Sequence, residues 1–393
     1  MYYQRNNQKK GRTPTSMNTT QQNIIITPPD KTLMVVVMFL VVLGLMVIFS
    51  ASAPKSVNMG ANPAKFAIQQ LIGIIGGYLG LKFLSNFDYR KLVNFTSIYA
   101  YVVIGLLILV HLTGDIVNGA QRWLTVGPLS LQPSEFAKPA IVLLLANAFH
   151  KDANITDPNK WASAFIPILI MVGLIFVQPN LSMVILLGVT SVILYLCSSG
   201  SVKLIGMMAA TVIPVLLLHG LQGYQSSRIT TWLHPESDPL GAGYNIIQSL
   251  VAFASGGLYG VGFGASKQKL AWLPEAHTDF IFAVVGEELG FIGCVLVLVL
   301  FWTLLQRGFV IASRCPDMYG KLLAVGLTFS ICFQAFLNMS VASSFMPATG
   351  VPMPFISYGG SSVMVSLWMI GILLNISKKR VKKIRVQHNV EYS

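Results

Sequence analysis

The side chains best suited to chemistry lie in short stretches far apart along the chain. His277–Asp279 comes directly before a hydrophobic run, and a carboxylate that faces a cleft there is a candidate general base. The alternative is that Asp279 caps the helix that follows. On that helix Asp279, Ala283, Gly286, Gly290 and Gly293 would share one face at helical spacing and pack against a neighbour. Spacing alone leaves both interpretations open.

Two upstream groups could bind a charged or sugar substrate. Arg122-Trp123 could offer an aromatic platform for a sugar beside a contact for an anion, or could be an interfacial tryptophan with a snorkelling arginine. Glu135 and Lys138 are i, i+3 neighbours, which favours an internal ion pair. Lys138 also lies near a predicted helix start, where an anionic headgroup could compete for it.

The elements that position these residues are predicted to be transmembrane helices. The chain has 393 residues, of which 54% are hydrophobic and 10% charged, against about 25% charged in soluble domains. Runs long enough to cross a bilayer predict an all-α integral membrane protein of about ten spans. These centre on 33–51, 66–84, 96–112, 134–149, 163–177, 181–197, 202–219, 280–305, 321–342 and 362–376.

The basic residues predict the orientation of these spans. With the N-terminus inside, 20 Lys and Arg fall in inside segments and six in outside segments, which is a positive-inside bias. Both termini are then cytoplasmic, as basic tails at 1–32 and 377–393 that flank a transmembrane domain at 33–376. The net charge of +13 is spread over loops and tails, so it predicts contact with membrane lipids and no nucleic acid.

Two outside segments are unusual. The segment 220–279, between spans seven and eight, is long, and 343–361 has no Lys or Arg and is rich in Pro, Gly and Ser. Within the long loop, 244–254 has the spacing of an amphipathic helix lying on the membrane. Gly260-x-Gly262-x-Gly264 lacks the βαβ context of a dinucleotide site and predicts a tight turn. The segment 357–362 predicts a bent re-entrant stretch that caps the tenth span.

Glu287 and Glu288 lie two turns into the predicted eighth span, where a charge costs about 2.5–3.5 kcal/mol. We expect at least one of them to face an internal cavity or to be protonated.

Five motifs in order resemble the shape, elongation, division and sporulation family, whose members include FtsW and RodA. They are Asn118–Leu124, Gln132–Glu135, Leu273–Phe280, Gly286–Gly290 and Pro347–Ser362, and the match covers about residues 33–376. Leu273–Asp279 and Gly260–Lys269 are more similar to the FtsW branch than to RodA, which usually carries Arg at the place of Ala276. Sporulation members share the FtsW pattern.

The resemblance implies a peptidoglycan glycosyltransferase that polymerises lipid II at the outer face of the bacterial cytoplasmic membrane, with septal synthesis as the expected role. It implies that Asp279 is catalytic and that Trp123 is needed for activity. Further residues at matching positions are expected to bind substrate: Arg122, Glu135, Lys138, His277 and Ser357. A lipid diphosphate is a good leaving group, so one base and a positive charge or a divalent cation (Mg or Mn) suffice.

The resemblance also implies partners, namely a class B penicillin-binding protein and other division proteins. Two other functions compete with polymerisation. A lipid II flippase would need charges at mid-membrane depth, and Glu287 and Glu288 fit that requirement. A non-catalytic division scaffold would need no such site.

Overall fold

The protein is a bundle of helices with two small sheets, one at each end. The computed structural model describes residues 23–117, 120–127, 129–150, 158–198, 224–239, 241, 243–270 and 272–382. The helices are α1 Lys31–Asn58, α2 Lys65–Asn86, α3 Leu92–Thr113, α4 Pro133–Phe149, α5 Pro158–Val177, α6 Leu181–Cys197, α7 Tyr224–Leu233, α8 Tyr244–Gly256, α9 Ile281–Arg314, α10 Met318–Ala342 and α11 Gly360–Ser377. The strands are β1 Asn23–Ile26, β2 Asp115–Val117, β3 Ala120–Val126, β4 Leu129–Leu131 and β5 Lys379–Lys382.

Nine of the ten predicted spans coincide with helices, and the seventh, 202–219, lies outside the described residues. Within the described ranges, six helices are long and apolar enough to cross a membrane: α1, α2, α3, α9, α10 and α11. Helices α4, α5 and α6 are shorter or more polar in their described parts. The predicted all-α membrane fold is therefore confirmed, whereas the count of ten spans is not.

The inner end of the bundle brings the two tails together. Strand β1 pairs antiparallel with β5, with Asn23 opposite Lys382 and Ile26 opposite Lys379. Arg307, at the inner end of α9, forms an ion pair with Asp30 just before α1. The chain therefore enters the first helix and leaves the last on the same side of the bundle, as an even number of spans requires.

Small residues allow α2 and α11 to pack closely. A Cβ placed on Gly73 would lie 2.7 Å from Gly360 Cα, and one on Gly77 would lie 3.0 Å from Met364 Cα. Gly73 and Gly77 are one turn apart on the same face of α2, so the two backbones meet without intervening side chains. This contact holds the start of α11, and with it the outer segment 343–359, against the outer half of α2.

Helix α9 is broken inside the bundle. Gly290 adopts φ 67°, a conformation that only glycine reaches cheaply. The loop 257–264 fills the break, because Val261 N donates to Glu287 O at 2.9 Å and Phe291 N donates to Gly257 O at 2.9 Å. The glycine-rich loop is a turn, as predicted. The prediction of one small-residue stripe running from Asp279 to Gly293 is wrong, since α9 begins after Asp279 and its helical register ends at Gly290.

The predicted amphipathic helix of the outer loop is confirmed as α8. Its buried face packs on the bundle, where Ser249 Oγ donates to Ala342 O at 2.5 Å and Gly256 touches the backbone of Gly286. Leu250 and Val251, on the predicted apolar face, stay exposed. That exposed face is available to the membrane surface.

Candidate active site

Asp279 stands at the outer mouth of the bundle, immediately before α9. The helix begins at Ile281, and Phe280 occupies the cap position without a side-chain capping bond, so Asp279 is not the helix cap. The Asp279 backbone carbonyl accepts a hydrogen bond from Asn338 Nδ2 at 3.0 Å. Its carboxylate is half-buried, and no hydrogen bond from the described residues reaches it. The capping alternative is excluded, which leaves a carboxylate held by its backbone with its oxygens unused.

The outer segment 343–359, which has no Lys or Arg, forms one wall beside Asp279. Ser357 Oγ donates to Thr278 O at 2.6 Å and accepts from Met353 N at 2.8 Å, while Tyr358 N donates to His277 O at 2.9 Å. Residues 351–357 are buried without forming a helix, whereas residues 360–362 of the predicted re-entrant segment 357–362 already belong to α11, so the non-helical stretch lies further upstream than predicted. Ser357 therefore joins the wall to the chain that carries Asp279, and its oxygen is already engaged on both sides.

Two arginines flank the carboxylate. A Cβ placed on Gly350 would lie 3.7 Å from Asp279 Oδ2 and 4.0 Å from Arg122 Nη1, so the two side chains face the same small space. Arg122 is oriented by Gln178 O, at 2.9 Å from its Nε, and by Pro179 O. Arg228, on α7, donates from Nη1 to Ala348 O at 3.1 Å.

Arg228 is a site residue that sequence reasoning missed. It is the single Lys or Arg between residues 220 and 266, and this isolation in a long outer loop is the signal that could have found it. Both arginines act on Asp279 through their charge. The site thus has one carboxylate between two cations, at the outer end of the bundle.

The surroundings of Asp279 suit a base. Burial, assisted by the charge of Glu275, raises the pKa of the Asp279 carboxyl to about 6, while Arg228 and Arg122 act in the opposite direction. The group is therefore mostly ionised at neutral pH and still has a proton affinity well above that of an ordinary aspartate. A catalytic base performs best when its pKa lies near the working pH.

His277 is enclosed by aromatic rings. Its ring centroid lies 5.1 Å from that of Phe66 and 5.8 Å from that of Tyr358. Burial, and then the charge of Lys55, lower the pKa of His277 to about 4, with Glu275 opposing them. His277 is neutral at pH 7 and packs beneath the site, so the predicted substrate contact would require this ring to move.

Arg122 and Trp123 are consecutive residues of β3. Trp123 lies opposite Asp115 of the neighbouring strand β2. Successive side chains of a strand point to opposite faces. Arg122 faces Gly350 and the site, so half-buried Trp123 faces the other side of the sheet. The structure does not bring together the predicted sugar platform and anion contact on one surface. The Asn118-Gly119 part of this motif lies outside the described residues.

Glu135 and Lys138 lie inside the bundle. Lys138 Nζ donates to Glu135 Oε2 and to Gln334 Oε1, both at 2.5 Å, and the two charged side chains are buried. Gln334 Nε2 in turn donates to Pro352 O at 2.8 Å. This geometry favours the internal ion pair over a contact with an anionic headgroup. The pair supports the wall beside Asp279 from below.

Glu287 and Glu288 are buried and have partners in the outer loop. Glu287 accepts from Ser266 Oγ and from Lys267 N, the latter at 2.9 Å, and Glu288 forms an ion pair with Lys269 at 2.8 Å. Among the residues that the structure describes, no group of three His, Cys, Asp or Glu side chains is placed to hold a metal ion.

Comparisons with known proteins agree on a family. The sequence model of the FtsW, RodA and SpoVE family, described as cell cycle proteins, matches residues 30–382. A probable peptidoglycan glycosyltransferase FtsW from Trichlorobacter lovleyi is 37% identical over 348 residues, which cover 86% of this chain and 90% of the relative. Stage V sporulation protein E from Bacillus subtilis is 38% identical over 349 residues, covering 86% and 94%.

A solved structure is also similar to this chain. It belongs to a peptidoglycan synthase complex in which polymerization and crosslinking are coordinated. The two chains are 31% identical with a TM-score of 0.73, and the similarity covers 89% of this chain and 97% of the other. The FtsW and sporulation relatives are nearly equally similar in sequence, so these identities do not separate the two branches.

Proposed function

Since this chain belongs to the FtsW, RodA and SpoVE family of cell cycle proteins, we propose that it polymerises lipid II with Asp279 as the base. The protein is a peptidoglycan glycosyltransferase of the membrane. In this reaction the acceptor 4-hydroxyl attacks the anomeric carbon of the lipid-linked donor. A glycosidic bond forms, the bond to the diphosphate breaks, and the hydroxyl proton passes to the base.

One observation carries the proposal: the Asp279 carboxylate shares the space at Gly350 with Arg122, feels the charges of Arg122 and Arg228, and accepts no hydrogen bond from the described residues. Its backbone is fixed by Asn338 and by the neighbouring bonds of Ser357, so the carboxylate is positioned while its oxygens remain available to a hydroxyl. A positioned base of this kind contributes about 10²–10⁴-fold to a rate.

Arg122 and Arg228 supply the positive charge that the departing diphosphate needs. Planar guanidinium groups bind phosphate oxygens in pairs, and such contacts gain strength where water is excluded. Backbone carbonyls on two sides of the site already orient both arginines. A divalent cation is the alternative source of charge, and titration of Mg²⁺ and Mn²⁺ in the assay distinguishes the two.

The flippase alternative needs charges at mid-membrane depth. Glu287 and Glu288 are its main support, and the outer loop binds both of them, Glu288 as an ion pair. Asp279, Arg122 and Arg228 lie instead at the outer mouth, where polymerisation would take place. The polymerase therefore has a specific observation in its favour and the flippase has none.

The test is reconstitution with purified lipid II, scored for glycan polymer on a gel. We expect polymer from the wild-type chain and about 10²–10⁴-fold less from Asp279→Asn. Glu236→Gln, an exposed carboxylate-to-amide change in the same outer loop, serves as the matched control. Near-normal synthesis by a folded Asp279→Asn would contradict the assignment.

We also propose that the chain works beside a class B penicillin-binding protein in septal synthesis, with its tails at 1–32 and 377–393 in the cytoplasm. The support is the similarity to a solved peptidoglycan synthase complex in which polymerization and crosslinking are coordinated. Co-purification in mild detergent and polymerisation with and without the partner test the pairing. Full activity of the isolated chain with no partner recovered would refute the pairing but leave the glycosyltransferase intact. Fluorescent fusions that avoid the septum would refute the septal role.

A further inference from the structure

A buried polar cluster joins three distant parts of the chain below the active site. Lys269 of the outer loop forms an ion pair with Glu288 of α9 at 2.8 Å and donates to Ser50 of α1 at 2.7 Å. Ser50 Oγ donates to the same carboxylate at 2.6 Å. All three side chains are buried. The mechanism proposed above uses none of these side chains.

The neighbouring glutamate binds the same loop. Glu287 accepts from Ser266 Oγ, from Lys267 N at 2.9 Å and from Gln268 N at 3.4 Å. Lys269 also donates to Gly264 O at 2.6 Å, which closes the loop on itself. Two consecutive carboxylates of α9 thus hold the four residues 266–269.

The cluster lies at membrane depth beside the break at Gly290. Glu288 is seven residues below Ile281, which corresponds to about 10 Å along a helix. Gly262 N donates to Glu288 O at 3.1 Å, so backbone bonds reinforce the side-chain contacts. An ion pair at this depth is not an efficient way to stabilise a fold, because a well-packed apolar pair would serve as well or better.

The cluster fixes one end of the segment that carries Asp279. From Lys269 the chain rises to the outer mouth, passes Asp279 and returns to the same helix at Ile281. The far end is fixed by α9 itself, and the near end by Glu288 and Ser50. Beside Asp279 the segment is also bonded to Asn338 and Ser357, so release of the near end would give a small displacement of Asp279 relative to the arginines, not a free segment.

We propose that Lys269, Glu288 and Ser50 form a positioning clamp that sets the location of the Asp279 carboxylate during glycosyl transfer. This inference rests on the proposed function of Asp279. The clamp residues do not touch the substrate and act through the segment between Lys269 and Asp279. A displacement of about 1 Å at a reacting group can cost about 10²-fold in rate, which is the loss expected when the clamp opens.

The test is a double-mutant cycle of Lys269→Met, Glu288→Gln and both together, with Lys65→Met as the control. Lys65 is an exposed lysine at the outer start of α2. For each protein, kcat and KM for lipid II polymerisation and the melting temperature are measured. We expect kcat to fall about 10²-fold in each single variant, with KM within about threefold of wild type and the control unchanged. Since each change breaks the same contact, the double variant should lose no more than either single variant.

The double variant decides between positioning and folding. It leaves no buried charge unpaired, so it should melt close to wild type while its kcat stays low. A double variant with wild-type kcat, losses that multiply, or a double variant that does not fold would each overturn the clamp. If Asp279→Asn is inactive while the clamp variants are fully active, only the clamp is refuted. If Asp279→Asn is active, the proposed base is refuted instead.

Discussion

The Asp279→Asn variant should lose activity and gain stability, and both effects follow from one property of the site. Burial is the largest contribution to the raised pKa of about 6, against 3.8 for an ordinary aspartate. This difference corresponds to at most about 3 kcal/mol between the two protonation states of the folded protein. The asparagine amide has the same shape and carries no charge, so the variant avoids the desolvation cost of the anion and should be more stable. The amide cannot accept the proton of the acceptor hydroxyl, so the variant should be inactive.

The direction of the pH dependence follows from linkage. Below pH 3.8 the carboxyl is protonated in both the folded and the unfolded chain, so it costs no stability. Between 3.8 and about 6 the unfolded chain ionises first, and the stability of the folded protein falls as the pH rises. Above about 6 the full cost is present. The Asn variant should therefore match wild type near pH 4 and exceed it at pH 7.

The assay is thermal unfolding in detergent by intrinsic fluorescence at pH 4, 5, 6 and 7, paired with lipid II polymerisation at pH 7. Glu236→Gln should follow the wild-type curve at every pH. If Asp279→Asn melts below wild type at pH 7, the carboxylate stabilises the fold and the reasoning from burial is refuted. If the stability gain appears without loss of activity, Asp279 is buried but is not the base.

Three further outcomes are expected. The polymerisation rate should fall as the pH drops, with a midpoint at about 6. Arg122→Gln should move this midpoint to higher pH, because the charge of Arg122 lowers the pKa of Asp279. A rate that does not change between pH 5 and 7 would contradict a base with this pKa. Trp123→Ala should reduce polymerisation, as the family resemblance implies, with little change in melting temperature, because Trp123 is only half-buried and lies on the sheet face opposite Arg122. Loss of folding would make it a packing residue. Lys138→Ala should cost several kcal/mol of stability by leaving Glu135 buried and unpaired, whereas Glu135→Gln/Lys138→Met should recover both folding and activity. Failure of the folded double variant to polymerise would restore the predicted role of Lys138 in substrate binding.

Local sequence was sufficient for the nine described helices that coincide with predicted spans, and it singled out Asp279 as the proposed base. A run such as 321–342 must form a helix in a bilayer because every backbone polar group there needs an internal partner, and α10 covers that run. The turn at 260–264 was also predictable, since glycines without a βαβ context indicate backbone freedom rather than a nucleotide site. The motif around Asp279 pointed to the base through the family resemblance.

The surroundings of that base depended on contacts between residues far apart in sequence. Lys269 meets Ser50, which lies 219 residues away, and Arg228 reaches Ala348 across 120 residues. No local pattern predicts such pairs, because they arise only when helices pack in one particular arrangement. The same holds for Glu287 and Glu288. In sequence they were costly intramembrane charges that suggested transport, and the folded chain gives each of them partners in the outer loop.

The sequence also left open on which face of a helix or strand a given side chain lies. Helical spacing predicted that Asp279 would continue the face of α9, but the helix starts two residues later and breaks at Gly290. Adjacent Arg122 and Trp123 suggested one binding surface, whereas the pairing of β3 with β2 turns them to opposite faces. Composition and periodicity thus indicated which segments form membrane helices, and the family resemblance singled out the motif that carries the proposed base. Tertiary packing alone decided which charges surround it, because desolvation and Coulomb interactions depend on distances that the fold sets.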